Sequence, residues 1–194
     1  MADQYHHGNL KSKLLEEAVL EERGEEKKIE AECSADLTVP AYIPEGYVPA
    51  AEQRMDLYRR IAALRTPADE ADLMDELLDR YGDVPKPVTA LLNVAMLRAA
   101  AMETGITDIT QKGRQLIFSF DMRIEPAALL AVCGMAGYRD RLQLAAGASP
   151  KLTLFLQPRE DALDAAGGLV EQLRLQQNEL QLQGQQPQEG GNEP

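Results

Sequence analysis

The parts of a catalyst are missing from this sequence: it has no glycine-rich phosphate loop, no paired CxxC, no HExxH and no nucleophile elbow. No apolar run approaches the roughly 20 residues needed to cross a bilayer, and the opening Met1-Ala2-Asp3-Gln4-Tyr5 lacks the basic-then-apolar order of a signal peptide, so the expectation is a soluble, cytoplasmic chain without membrane contact. Cysteine is scarce. Cys33 and Cys133 lie far apart in apolar or strand-like contexts and read as reduced structural thiols rather than a disulfide framework. The two histidines, His6 and His7, are adjacent and point in different directions on most backbones, so they are read as a terminal pair and not as metal ligands. Positive charge is also short: 20 Lys and Arg stand against 32 Asp and Glu, for a net charge of -12. Such a balance repels phosphate backbones and anionic lipid and favours a protein partner. No internal repeat is visible.

The chain does contain enough apolar residues for a core, 44% of 194 residues, arranged in two successive periodicities. Leu10 to about Lys28 favours helix but is largely polar, and a charged linker follows at Gly24-Glu25-Glu26-Lys27-Lys28. Alternation through Ala35, Leu37 and Val39 predicts a strand between Cys33 and Tyr42, before Pro40, Pro44, Gly46 and Pro49 impose a turn-rich connection. Helices are then expected over Arg54 to Leu64, over Pro67 to Tyr81 and from Pro85-Pro87 to Gly105. The second has a capping signature in Thr66-Pro67-Ala68-Asp69, a core stripe of Leu73, Leu77, Leu78 and Tyr81, and a left-handed stop at Gly82.

Beyond Gly105 the period falls to two. Ile106 to Thr110 and Leu116 to Phe120 predict a hairpin turning at Gln111-Lys112-Gly113, and Leu142 and Leu144 facing Leu152 to Leu156 predict another. A short helix from Pro126 through Leu129, Leu130 and Cys133 separates them, and a last helix runs from about Arg159 to Leu175. The fold class is therefore α+β, several helices packed against a small antiparallel sheet built from hairpins. The domain reading is a helical tail and linker over 1-32, an α+β domain over 33-176 and a glutamine- and glycine-rich disordered tail over 177-194.

The chemistry-bearing stretch is the acidic second helix. Asp69, Glu70, Asp72, Asp75, Glu76 and Asp79 crowd within three turns, with Arg80 and Tyr81 at their end. A divalent cation on Asp72, Asp75, Glu76 and Asp79 is one reading, although such sites usually draw oxygens from loops and several elements. For Glu76 and Arg80 the plain alternative is an intrahelical pair at i,i+4, and for Tyr81 a core aromatic with a wet hydroxyl. A local basic patch at Arg59, Arg60 and Arg65 is the one feature that would favour nucleic acid. The residues by themselves reach an acidic helical face with an interaction role.

Three segments resemble one family. They are Ala35-Asp36-Leu37-Thr38-Val39-Pro40-Ala41-Tyr42-Ile43-Pro44 with Tyr47-Val48, then Arg54-Met55-Asp56-Leu57-Tyr58-Arg59-Arg60-Ile61-Ala62, then Glu76-Leu77-Leu78-Asp79-Arg80-Tyr81-Gly82 with Pro85. In order and separation they are similar to the C-terminal domain of bacterial transcription-repair coupling factor, an ATP-driven DNA translocase that acts on stalled RNA polymerase. The resemblance is specific over about 35 to 120, is weaker over 121 to 175, and likens Leu14-Leu15-Glu16-Glu17-Ala18-Val19 to the end of the preceding translocase module.

The resemblance implies a non-catalytic regulatory appendage, whose parent uses ATP and Mg2+ in motor modules elsewhere and touches DNA through them. It implies intramolecular docking on the N-terminal domain that recruits the damage-recognition subunit of nucleotide excision repair, with indirect links to that subunit and to RNA polymerase. Carried over residue by residue, the contact falls on Glu76, Asp79 and Arg80, with no catalytic or metal-binding residue and no cofactor in these residues. A purely structural acidic domain and a carboxylate-metal enzyme are the alternatives. A switch from 1:99 to 99:1 requires about 5.5 kcal/mol of differential free energy, while solvent-exposed ion pairs supply about 0.2 to 1 kcal/mol each, so the expected contact is partly desolvated.

Overall fold

The computed structural model describes residues 33-147 and 149-184. The expected helix over Leu10 to Lys28 and the linker after it lie outside the described residues. Among the described residues the order is β1 (Ser34–Asp36), α1 (Ala51–Ala62), α2 (Pro67–Tyr81), α3 (Lys86–Glu103), β2 (Ile106–Lys112), β3 (Gln115–Phe120), α4 (Pro126–Gly134), β4 (Leu142–Ala145), β5 (Lys151–Phe155) and α5 (Ala162–Gly184). This is an α+β fold. No helix among the described residues is long and apolar enough to cross a membrane. The chain divides into two compact units, with the division falling inside α3 between Ala99 and Ala100.

The first unit is helical. Its core gathers Leu57 and Ile61 from α1, Leu73 and Leu77 from α2 and Val88, Leu92 and Ala95 from α3 around Ile43, Val48 and Leu64 from the connections. The expected strand over Cys33 to Tyr42 shortens to three residues because the segment after Asp36 bonds elsewhere: the Val39 N–H donates to the Leu37 carbonyl at 2.9 Å and the Tyr42 N–H to the Pro87 carbonyl at 3.2 Å. Pro40 and Pro44 have no N–H to offer a ladder. The turn-rich stretch is fixed by side chains instead. The Ile43 N–H donates to the Tyr58 hydroxyl at 2.8 Å, and Arg54 Nη1 donates to the carbonyls of Val48 and Pro49 at 2.8 and 2.7 Å.

The α2 capping box forms as its residues predict. Thr66 Oγ1 accepts from the Asp69 N–H at 3.2 Å, Asp69 Oδ2 accepts from the Thr66 N–H at 2.9 Å, and Pro67 takes the first turn. Two details of this helix differ from expectation. Leu78 is 45% exposed, since Leu73 and Leu77 fill the stripe and the next residue is rotated about 100° away from it. Gly82 closes the helix at φ 79 and ψ -155, with positive φ as expected but an extended ψ that places it in a region almost reserved for glycine.

In the second unit β2, β3, β5 and β4 lie side by side in that order, each pair antiparallel. The first hairpin turns at Gly113-Arg114, with Gln111 and Lys112 drawn into the strand opposite Leu116 and Gln115. The second pairs Leu142 with Leu154 and Leu144 with Leu152, the facing arrangement that their alternation predicts. Leu116, Phe118 and Phe120 alternate inward along β3, and α4 packs against α5 with Leu129, Val132, Leu169 and Leu173 buried. Leu130 instead stays 64% exposed.

The last helix starts later and ends later than composition suggests. Asp161 Oδ1 caps it by accepting from the N–H groups of Leu163 and Asp164 at 2.8 and 3.0 Å, and it continues past Leu175 to Gly184. Glutamine is a good helix former, and Gln177 is buried with its amide donating to the Arg123 carbonyl at 3.4 Å.

Candidate functional site

The end of α2 is where the charged groups singled out in the sequence come together, and the structure adds a member from α1. Arg60 and Glu76 form a two-pronged pair: Arg60 Nη1 donates to Glu76 Oε1 at 2.9 Å, while Arg60 Nη2 bonds Glu76 Oε2. Arg80 Nη1 donates to the same Oε1 at 2.7 Å across one helical turn. One carboxylate thus holds two guanidinium groups. Hydrogen bonds from Arg60 first, then from Arg80, hold the Glu76 carboxyl down to about 2. The same bond to Glu76 raises Arg60 and Arg80, so all three groups are charged at neutral pH.

Aromatic rings support this arrangement. The Arg80 guanidinium carbon lies 5.1 Å from the centre of the Tyr81 ring, and the Tyr81 and Tyr47 rings meet tilted at 56° with centroids 5.6 Å apart. The Tyr81 hydroxyl donates to Gln53 Oε1 at 3.3 Å, which makes it the half-buried aromatic with a polar tip that the sequence suggested. Tyr47 stands in the sequence only as part of the resembling Tyr47-Val48 pair, with no role of its own assigned there. Its hydroxyl lies 3.2 Å from the Leu77 carbonyl and 3.3 Å from that of Gly82, and shares its proton between two groups at the helix terminus. Burial, reinforced by the charges of Tyr81 and Asp83, pushes the Tyr47 phenol up.

Of the three residues assigned by resemblance, Glu76 and Arg80 are therefore bonded to each other and Asp79 stands apart. Asp79 is exposed and makes no side-chain hydrogen bond or ion pair among the described residues. Arg60 was legible as part of a resembling segment and of a basic patch with Arg59 and Arg65, with no tie to the acidic helix. From α1 it bonds to the acidic helix, while Arg65 donates to the carbonyls of Ala62 and Leu64 at 3.0 and 2.8 Å. Next to these groups a shallow cleft of about 250 Å³ opens between α1 and α2, lined by Glu52, Gln53, Asp56, Leu57, Arg80 and Tyr81. Among the described residues no three carboxylate, imidazole or thiolate groups converge as metal ligands would.

Residues 37–128 match the TRCF domain family, a stretch that includes α1, α2 and the whole charged cluster. The chain carries a TRCF domain. It is 33% identical over 117 residues to the transcription-repair-coupling factor of Staphylococcus haemolyticus strain JCSC1435, a match covering 59% of this chain and 10% of that protein. It is 36% identical over 104 residues to the transcription-repair-coupling factor of Bacillus subtilis strain 168, covering 53% and 9%. The chain thus spans about a tenth of the length of these curated relatives. A crystal structure of the C-terminal domain of transcription-repair coupling factor superposes with a TM-score of 0.64, at 19% identity, over 77% of this chain and 96% of that one, so the TRCF fold extends well past the family match.

Proposed function

We propose that this TRCF domain is a non-catalytic autoregulatory module of a transcription-coupled repair translocase, docking within its parent on the N-terminal domain that recruits the excision-repair damage-recognition subunit. In this reading ATP hydrolysis, Mg2+ binding, DNA translocation and displacement of stalled RNA polymerase belong to other modules of the parent. The contact residues are Glu76, Asp79 and Arg80. The observation that carries the reading is the clasp of Arg60, Glu76 and Arg80 on a TRCF domain: it fixes charges of both signs at one helix end with the Asp79 carboxylate a turn away.

The roles within the contact are unequal. Both Glu76 oxygens already accept from guanidinium groups, so Glu76 acts chiefly by holding Arg80, and it meets a partner's arginine only by sharing. Asp79 offers the open carboxylate. Arg80 spends one N–H on Glu76 and turns others toward a partner carboxylate, as the five-donor guanidinium allows. Docking and diffusional steering both weaken with salt.

The test is a binding titration between this chain and the N-terminal half of its parent, with Asp79→Lys, Arg80→Glu and the triple variant Glu76→Ala, Asp79→Ala, Arg80→Ala alongside. Weakened binding by the variants, together with raised recruitment of the damage-recognition subunit by the full-length triple variant, is expected. Unchanged binding and recruitment would leave only a structural role for the acidic helix.

A further inference from the structure

In the loop between β3 and α4, Phe120 and Ile124 are buried on either side of Met122, and Met122 itself stands 98% exposed. Hydrogen bonds fix the loop on both of its flanks. The Asp121 N–H donates to the Gly105 carbonyl at 2.9 Å, the Arg123 N–H and Nε donate to the two oxygens of the Asp121 carboxylate at 2.8 and 2.9 Å, and the Arg123 carbonyl accepts from Gln177. The backbone is thus tied next to Met122, and its thioether has no wall to pack on. The other methionines of the described residues differ: Met55 is 42% exposed, Met74 and Met96 pack against the core of the first unit, and Met102 and Met135 are partly buried.

Accessibility decides which methionine a small oxidant reaches, since a thioether needs no proton loss before it acts as a nucleophile. The thiols compete poorly. Cys33 is buried, and burial pushes the partly covered Cys133 thiol up, away from the reactive thiolate. We infer that Met122 is a reversible oxidation site whose co-substrate is a hydroperoxide. A lone pair of the sulfur attacks the outer oxygen of the peroxide, and the S–O bond forms as the O–O bond breaks. The proton of the transferred oxygen passes to the departing one, which leaves as water from hydrogen peroxide or as an alcohol from an organic peroxide. The sulfur is oxidised and the peroxide reduced. A thiol-dependent methionine sulfoxide reductase reverses the change, with a pair of thiols oxidised to a disulfide and the oxygen released as water. Because Met122 supports no packing, the polar sulfoxide is carried without loss of fold, whereas the same change at Met74 or Met96 puts a polar group against the core. The inference stands independently of the docking reading.

The test is peptide-mapping mass spectrometry of the complete chain after graded exposure to hydrogen peroxide. Met122 sulfoxide is expected to form roughly tenfold faster than the sulfoxides of Met74, Met96, Met102 and Met135, with Met55 between them in the order of exposure. The thermal midpoint should stay unchanged while Met122 is the residue altered. Met122→Leu is expected to remove the fast phase and leave the rates at the other methionines as they were. Incubation with methionine sulfoxide reductases of both epimer specificities and a dithiol should return the Met122 peptide to its unoxidised mass. Oxidation of Met55 or of a partly buried methionine at the same rate or earlier would overturn the inference. So would a fall in thermal midpoint that tracks Met122 sulfoxide, or a sulfoxide there that the reductases leave in place.

Discussion

Arg60 on α1 and Glu76 on α2 are sixteen positions apart and joined by two hydrogen bonds, one of them 2.9 Å long. Their side chains are 39% and 32% exposed, so the clasp is a surface feature with good geometry, not a buried ion pair. Water screens it, and its share of stability is correspondingly modest. A double-mutant cycle with Arg60→Ala and Glu76→Ala, read by urea denaturation, is expected to give a coupling of about 0.2 to 1 kcal/mol. A coupling of several kcal/mol would mean the pair is far drier than its exposure indicates.

The pH dependence of this clasp has a definite sign. Glu76 is lowered from an ordinary 4.5 to about 2, chiefly by its bonds to Arg60 and Arg80. A carboxyl depressed by folding contributes its stability fully above the unfolded value and loses it as pH falls toward the folded one, so the contribution fades between about 4.5 and about 2. Carboxyl-carbon NMR of Glu76 should show this low midpoint, and Arg60→Ala should move it upward. A midpoint unchanged by removal of Arg60 would show that the pair does not persist in solution.

Gly105, between α3 and β2, sits at φ 78, and a Cβ there would come within 2.9 Å of Asp121 Oδ1 and 3.2 Å of the Ile124 backbone nitrogen. Both the backbone angle and the space exclude a side chain. Gly105→Ala is expected to cost about 1 to 3 kcal/mol in chemical denaturation. It should also weaken the bond from the Asp121 N–H to the Gly105 carbonyl, now 2.9 Å, visible as faster amide exchange at Asp121.

Thr66 supplies the hydroxyl of the α2 capping box. Thr66→Ala should lower stability by about 1 kcal/mol, and Thr66→Ser should restore most of it. If docking uses the far end of the same helix, neither change should alter partner affinity once both proteins are folded.

Burial at Phe118 tests the second unit separately. The ring is fully buried on β3, and Phe118→Ala is expected to cost about 3 to 5 kcal/mol.

The sequence displayed α2 almost completely, because Thr66, Pro67, Asp69 and Gly82 each act through local backbone chemistry that needs no distant partner. The two hairpins were legible for a similar reason: the alternation of Leu142, Leu144, Leu152 and Leu154 specifies which faces must meet. The length of β1 was not, since the bond from Tyr42 to Pro87 depends on a helix that begins far along the chain. Nor was the reach of α5, where burial of Gln177 outweighs a composition typical of disorder. At the charged site the α2 members were visible through spacing and resemblance. Arg60 and Tyr47 stood in the resembling segments, but their roles were hidden because each acts across tertiary distance, and the signal that would have found that of Arg60 is its placement on the adjoining helix facing an acidic one.

Tyr47 links the turn-rich stretch to the last carbonyls of α2. A helix end tied in this way frays less readily than a free one, and Asp79 and Arg80 sit on its last turn. In the proposed docking, Arg80 is presented already held by Glu76, and less ordering entropy opposes association.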